Sequence, residues 1–256
     1  MTGFRTIIRV LLCAPALLFA QQAPVSVDSL VQRIDRRAKA YEEYRDYSVD
    51  AVSTSVQLDA RWQPERTTRM ERKIVRTNGI DHVDILKAVE TENGKDTDVT
   101  AKVRKEAADQ EKKAEEARAK KDSNGGEGQR GMRVSIDDTF PFDEKVRSDY
   151  AFSSASDTVA DGRTLLRIRT QAKVKDSKRY EGIYGVDPET YDIRVVDVRP
   201  SKNPKFVKDM RLCFSLDVRD GKKMVVTRTW MRIYASLLVK KFRMEYEEWY
   251  TNHTFH

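Results

Sequence analysis

The stretch that decides the fold runs from Phe206 to Val218 and has the sequence FVKDMRLCFSLDV. From Met210 to Val218, large apolar side chains occupy every second position, while Arg211 and Asp217 are among the residues between them. A period of two residues is typical of a β-strand that buries one face. We therefore predict a strand whose Met210 side faces the protein interior.

The same alternation continues on both sides of this strand, from Tyr180 to Tyr250. Turn-forming residues interrupt it, and Asp220-Gly221 between two alternating runs is a strong hairpin signal. Further strands are predicted at Tyr180–Val186, Tyr191–Val198, Met224–Tyr234 and Leu237–Tyr250. Consecutive strands joined by short turns predict an antiparallel sheet, which the rest of the chain must extend or cover.

The N-terminal part of the chain predicts one covering helix, from Ser26, which can cap it, to about Tyr44. Apolar residues recur every three or four positions and form one stripe: Val27, Leu30, Val31, Ile34, Ala38 and Tyr41. Such a stripe favours packing against the apolar face of the sheet.

Three strands are predicted next, at residues 47–58, 66–76 and 80–88, with an Asn78-Gly79 turn between the last two. Their polar side chains are expected to form a solvated outer face that includes Arg66, Thr68, Arg72 and Arg76. Two more strands are predicted later in the chain, at residues 150–156 and 164–175. Phe140 and Phe142 flank Pro141 just before them and are expected to pack under the sheet edge.

A segment of different composition, residues 97–131, interrupts the strands. Val103 to Lys121 consists almost entirely of Ala, Glu, Lys, Arg and Gln, and Ser123 to Gly131 contains four glycines. This composition predicts a solvent-exposed helix or a flexible insertion. The remaining elements amount to about ten strands without the strand–helix alternation of a nucleotide-binding fold, so we predict an α+β fold that is mainly β.

The first twenty residues predict export. Arg5 and Arg9 precede a short apolar run from Val10 to Phe19, and Ala20 is a plausible cleavage site, which is the pattern of a secretory signal peptide.

The 256 residues carry a formal charge of +7, with 39% apolar and 35% charged residues, which favours a soluble protein. The sequence contains no compact basic patch interleaved with stacking aromatic residues, so we do not expect the protein to bind nucleic acid.

Residue constellations for catalysis are not evident in the sequence. His82, His253 and His256 have no potential metal-ligand partner at useful spacing, and no nucleophile elbow or phosphate-binding glycine loop occurs.

Cys213 is the only cysteine after the predicted signal peptide and is expected to be a half-buried small residue. Alternation places Glu247 and Glu248 on opposite sheet faces, and we expect the Glu245–Glu248 carboxylates to be solvated. We therefore predict no enzyme, no cofactor and no metal.

The apolar sheet face suggests a binding function. Ten strands have more apolar face than one helix covers, so the sheet either curls to form its own core or leaves a concave apolar groove. Acyl chains could occupy such a groove, because each buried methylene contributes about 0.8 kcal/mol. The candidate hydrophobic-cavity residues are Met210, Leu212, Phe214, Leu216, Leu238, Phe242 and Met244.

Residues 180–193, YEGIYGVDPETYDI, resemble the hairpin of LolA/LolB-like proteins, the outer-membrane lipoprotein-sorting family. Residues 199–208 resemble the segment that leads into the next strand of that family, and the aromatic end of the strand at 246–250 also fits. The resemblance implies a curved antiparallel half-barrel that wraps the N-terminal helix and holds lipid acyl chains in an apolar cavity. It implies a periplasmic carrier of lipids or lipoproteins, spanning residues 21–256 after the signal peptide, and we expect this carrier to be a monomer.

An alternative is an envelope interaction or sensor module that transports no ligand. The concave face would then hold a protein partner, such as an envelope membrane protein. The charged segment from Val103 to Lys121, which the best-known carrier of the family lacks, would serve as a docking arm.

Overall fold

The computed structural model describes residues 26–44, 46–78, 80–124, 139–160, 162–237 and 240–256. The predicted signal peptide, residues 1–20, lies outside the described residues. Within these ranges, no helix combines the length and apolar character needed to cross a bilayer.

Eleven strands form one open antiparallel sheet. In chain order they are β1 Tyr47–Leu58, β2 Pro64–Thr77, β3 Ile80–Glu92, β4 Lys95–Asp98, β5 Tyr150–Ala160, β6 Arg163–Ala172, β7 Tyr180–Val186, β8 Ile193–Pro200, β9 Val207–Arg219, β10 Lys223–Leu237 and β11 Lys240–Phe255. The predicted mainly β, α+β fold with an N-terminal helix is confirmed.

The sheet joins two groups of consecutive strands. Its spatial order is β4-β3-β2-β1-β11-β10-β9-β8-β7-β6-β5, so the first strand pairs with the last. In this pairing Tyr47 lies opposite Phe255, and Gln57 lies opposite Met244. The strand that the sequence did not predict is β4, a four-residue edge strand after an Asn93-Gly94 turn.

The N-terminal helix, α1, extends over Val27–Lys39, and Ser26 caps it by accepting a hydrogen bond from the backbone N–H of Ser29 at 3.2 Å. It ends five residues before the predicted Tyr44, because residues 40–44 turn the chain toward β1. The stripe predicted from spacing is the buried side, with Leu30, Val31 and Ile34 at its centre.

The main core lies between α1 and the sheet face that carries Met210, which we call the inner face. Its members come from α1, from Phe142 and from strands β6 to β9, and they include Ile168, Tyr184, Val196, Val198, Met210, Leu212 and Phe214. Each fully buried side chain of this size contributes about 1.5–3 kcal/mol. The core therefore fixes α1 over one half of the sheet.

The Phe140–Phe142 segment closes one side of this core, where its aromatic pair is expected. Phe142 is completely buried, and its ring makes an edge-to-face contact with Tyr184 at a centroid distance of 5.0 Å. The Tyr184 hydroxyl donates a hydrogen bond to the carbonyl oxygen of Thr139. The short helix α3, Glu144–Arg147, then leads into β5.

The charged segment contains helix α2, Thr100–Asn124. The sequence predicted either an exposed helix or a flexible insertion here, and a helix is observed over these residues. Its first turns are fastened to β3, since Arg104 Nε donates to the carbonyl oxygen of Ile85 at 2.7 Å. Most side chains from residue 101 to 110 are exposed. The proposed domain boundaries stay a prediction, and residues 125–138 lie outside the described part of the chain.

Candidate ligand-binding face

The β9 part of the inner face is filled by the protein itself. Met210, Leu212, Phe214 and Leu216, four of the predicted cavity residues, are 1–6% exposed and pack in the core beneath α1. Their interior orientation follows the predicted alternation. Helix α1 and the neighbouring strands surround these four side chains. That they contact a ligand stays a prediction.

The inner face continues beyond α1 over β10, β11, β1 and β2. Cross-strand partners share one face of a sheet, and Met231 lies opposite Leu212 on one side and Tyr246 on the other. Tyr246 in turn lies opposite Ser55 of β1. The larger apolar side chains of this region are only half-buried, and they include Met70, Met231, Met244 and Tyr246.

Two other predicted cavity residues belong to this less covered region. Met244 lies opposite Ile233, and Phe242 lies opposite Ala235 at the end of the strand, with 40% of its surface exposed. Leu238 lies outside the described residues. Met70, Met231 and Tyr246 also lie on this part of the inner face but were not among the predicted cavity residues. The spacing of two between Met231 and Ile233, and between Met244 and Tyr246, is the signal that could have identified two of them.

Methionine is concentrated on the inner face. Of the seven methionines, Met1 and Met132 lie outside the described residues, and the other five share the inner face by strand register: Met70, Met210, Met224, Met231 and Met244. Methionine is unbranched and polarisable, so it adapts to apolar partners of different shape. The inner face can therefore accommodate a flexible apolar ligand.

A charged cluster borders the half-buried methionines. Glu248 is 5% exposed, and its Oε1 accepts a hydrogen bond from Arg72. Its Oε2 accepts hydrogen bonds from the hydroxyls of Tyr246 and Tyr250, both at 2.7 Å. Arg72 Nη2 also donates to the Tyr246 hydroxyl at 3.0 Å. Every oxygen of this carboxylate thus has a donor, as a buried charge requires.

This cluster corrects two predictions. Glu248 was expected to be solvated but is buried. Arg66, Thr68, Arg72 and Arg76 were expected on an outer face but lie on the inner face, where the Arg66 and Arg76 side chains remain 42% and 40% exposed. Because β11 pairs with β1 and β1 with β2, all of these residues lie on the inner face, and the four β2 side chains are half-buried. The split of the two neighbouring glutamates is confirmed, since Glu247 lies on the outer face and accepts a hydrogen bond from Arg228 Nε at 2.7 Å.

The electrostatics of the cluster favour a static role. Burial and the adjacent Glu248 carboxylate raise the pKa of Tyr246 to about 12. Burial alone would lower the pKa of Arg72, but Glu248 and Tyr246 outweigh it, and the pKa is raised. The contacts of Arg72, Tyr246 and Tyr250 with the Glu248 carboxylate thus form a polar boundary to the apolar region.

A pocket opens at the Phe242 end of the inner face. Its volume is about 400 Å³, and it is lined by Gln57, Leu58, Asp59, Ala60, Glu65, Lys241, Phe242 and Arg243. A second pocket of about 460 Å³ lies beside it, between the β1–β2 and β3–β4 turns. The half-buried methionine region thus adjoins a solvent-accessible opening.

The hairpin that carries the sequence resemblance holds α1 in place. Asp192, at its end, is 2% exposed, and its Oδ1 accepts hydrogen bonds from Arg37 Nε at 2.6 Å and from the Tyr41 hydroxyl at 2.8 Å. Thr190 Oγ1 donates to Oδ2 at 2.8 Å. Burial alone would raise the pKa of Asp192, but the hydrogen bonds from Arg37, Thr190 and Tyr41 outweigh it and lower the pKa.

The described residues contain no group of three or more His, Cys, Asp or Glu side chains that could hold a metal ion. Cys213 is half-buried on the outer face, and burial raises the pKa of its thiol. A thiol with a raised pKa is a weak nucleophile.

No protein-family model and no curated protein matches the sequence. Among solved structures, the chain is similar to a domain from Vibrio parahaemolyticus described as an outer membrane lipoprotein-sorting protein, with 11% identity, a TM-score of 0.41, and coverage of 90% of this chain and 94% of that one. It is also similar to a LolA superfamily protein from Nitrosomonas europaea, with 9% identity, a TM-score of 0.36, and coverage of 91% and 94%.

A third similar structure is the MucA/MucB complex of Pseudomonas aeruginosa, with 8% identity, a TM-score of 0.26, and coverage of 87% and 94%. The neighbours thus include the family that residues 180–193 resemble. All of these TM-scores lie below 0.5.

Proposed function

We propose that the protein is a non-enzymatic carrier that binds the acyl chain of a lipid or lipoprotein on the inner face beyond α1. In this proposal the signal peptide exports the protein to the periplasm, where it takes part in outer-membrane lipoprotein sorting. The observation that carries the proposal is the set of half-buried methionines on the inner face beyond α1. Of these, Met231 lies opposite Tyr246, and Met244 lies opposite Gln57, a residue that lines the open pocket at Phe242.

The physical gain from such a ligand is large enough for useful affinity. An acyl chain lying along these side chains would lose contact with water at about 0.8 kcal/mol per methylene. Ten buried methylenes would contribute about 8 kcal/mol before the cost of ordering the ligand. The flexible methionines would adjust to chains of different length, which suits a carrier of several lipids.

Neighbouring positions on opposite sheet faces provide a matched test. Met244→Gln places an amide on the inner face, whereas Glu245→Gln changes the outer face one residue away. In a titration with a fluorescent fatty acid, we expect Met244→Gln to raise the Kd about tenfold, because a ligand would desolvate the new amide. Glu245→Gln should leave the Kd unchanged. Equal effects of the two substitutions, or no saturable binding by the wild type, would contradict the proposal.

A module that binds a protein partner is the second candidate. Helix α2 favours it, since 25 residues form a helix of roughly 37 Å that is fastened to β3 through its first turns. In this alternative α2 is the docking arm and the inner face holds a partner segment.

A further inference from the structure

Three exposed aromatic residues lie at the same end of the sheet, with Trp62 against outer-face Tyr234 and Phe242 on the inner face. Trp62, Phe206 and Phe242 are 42%, 47% and 40% exposed. Each is placed against a successive residue at the end of β10. The Trp62 ring lies 6.0 Å from the ring of Tyr234, Phe242 lies opposite Ala235, and the carbonyl oxygen of Phe206 accepts a hydrogen bond from the Ser236 N–H at 2.8 Å. We call Trp62, Phe206 and Phe242 the aromatic tip.

Two residues of the aromatic tip occupy an unfavourable backbone conformation. Trp62 has φ 64° and Phe206 has φ 70°, in the left-handed region, where a bulky side chain is an outlier and asparagine or glycine is preferred. Local backbone geometry therefore does not explain why aromatic residues stand at these positions. Such outliers often mark functional surfaces.

A basic residue adjoins each member of the aromatic tip in the sequence. Arg61, Lys205 and Lys241 are exposed, and Lys205 Nζ lies 5.0 Å from the centre of the Phe206 ring. The guanidinium of Arg243 lies 5.4 Å from the centre of the Trp62 ring. Two carboxylates, Asp59 and Glu65, also lie at this end, and Asp59 Oδ1 accepts hydrogen bonds from the backbone N–H groups of Arg61 and Gln63 at 2.7 and 2.9 Å.

We propose that the aromatic tip docks on the surface of a lipid bilayer that carries anionic headgroups. Exposed aromatic rings favour the water–lipid interface, and the adjacent lysines and arginines complement anionic headgroups. The pocket of about 400 Å³ includes Phe242 and Lys241 in its lining. Docking would therefore bring the opening of the inner face to the membrane surface, where an acyl chain enters or leaves.

The test uses variants that suit the backbone but remove the aromatic rings. Trp62→Asn and Phe206→Asn accept the left-handed conformation, which offsets the lost contacts of the Trp62 ring with Tyr234 and Arg243, so the double variant should remain folded, as circular dichroism would check. In flotation with vesicles of equal parts phosphatidylcholine and phosphatidylglycerol, we expect the mature wild-type protein to bind and the double variant to bind at least tenfold more weakly. The matched control is Trp249→Thr, which removes a tryptophan that is 51% exposed on the outer face, opposite Val52; this variant should bind like the wild type.

Several results would overturn the docking proposal. They are absence of wild-type binding to the anionic vesicles, equal binding to vesicles of phosphatidylcholine alone, and equal loss in Trp249→Thr and the double variant. Titration with the fluorescent fatty acid in vesicle-free buffer keeps this proposal separate from the carrier function. The double variant should retain fatty-acid affinity there, because Met70, Met231 and Met244 are unchanged.

Discussion

At the scale of single residues, Glu248 shows how the inner face tolerates a charge. Arg72, Tyr246 and Tyr250 supply donors to both oxygens of a carboxylate that is almost completely removed from water. Removing one partner of a buried ion pair destabilises the fold more than replacing both partners by apolar residues, because the remaining charge has no partner.

Glu248→Gln should therefore lower the free energy of unfolding by about 3 kcal/mol. The double variant Arg72→Met/Glu248→Gln should recover part of this loss, since no unpaired guanidinium remains. Urea unfolding followed by circular dichroism measures both values. A loss below about 1 kcal/mol for the single variant would mean that solvent, and not Glu248, compensates Arg72.

The same residues show what the sequence could and could not predict. Alternation within one strand predicted the Met210 face of β9 and the separation of Glu247 from Glu248, because side-chain direction is a local property. Which face of β2 lies inside depends on the pairing of β1 with β11, between residues about 200 positions apart. No local pattern encodes that pairing, so Arg72 was assigned to the outer face, and Met70 was not recognised as part of the inner face.

At the scale of elements, α1 is held by apolar packing and by the polar contacts of Asp192. Leu30, Val31 and Ile34 could be predicted from their spacing, and Ser26 from its capping preference. The role of Asp192 could not, because Arg37 and Tyr41 reach it across more than 150 positions of sequence. The family resemblance correctly predicted the β7–β8 hairpin. It did not indicate that Asp192 of this hairpin binds residues of α1 and of the segment that follows it.

The lowered pKa of Asp192 predicts acid sensitivity of α1. In the folded state this carboxyl binds its proton less readily than in the unfolded state, so its contribution to stability is present above the ordinary pKa of about 4. That contribution is lost as pH falls through the lower folded-state pKa. Measuring Tm from pH 7 to pH 3 should show a smaller acid-dependent decrease for Asp192→Asn than for the wild type.

The control for this experiment is Asp220→Asn, in the exposed β9–β10 turn, where asparagine also suits the left-handed φ of 52°. It should retain the wild-type pH dependence of Tm. If Asp192→Asn and Asp220→Asn follow the same curve as the wild type, the contacts of Asp192 do not stabilise the α1 position.

At the scale of the whole molecule, the two faces of the sheet differ in composition. The described methionines share the inner face, whereas Trp230 and Trp249 lie on the outer face beneath Arg211 and Arg228, at 6.0 and 4.8 Å. Outer-face arginines are paired with carboxylates, as in Arg211 with Asp197 and Arg228 with Glu247. The inner face thus carries the flexible apolar side chains beside one buried ion pair, and the outer face is cross-linked by several ion pairs; the methionines on the inner face agree with ligand binding there.

The most direct test of the carrier function is native mass spectrometry of protein purified from the periplasm, with organic extraction of any bound molecule. The proposal predicts one lipid or acylated peptide per chain, which Met244→Gln reduces. A mass equal to that of the protein alone, with no uptake of added fatty acid or lipid, would contradict the carrier function and favour a module that binds a protein partner.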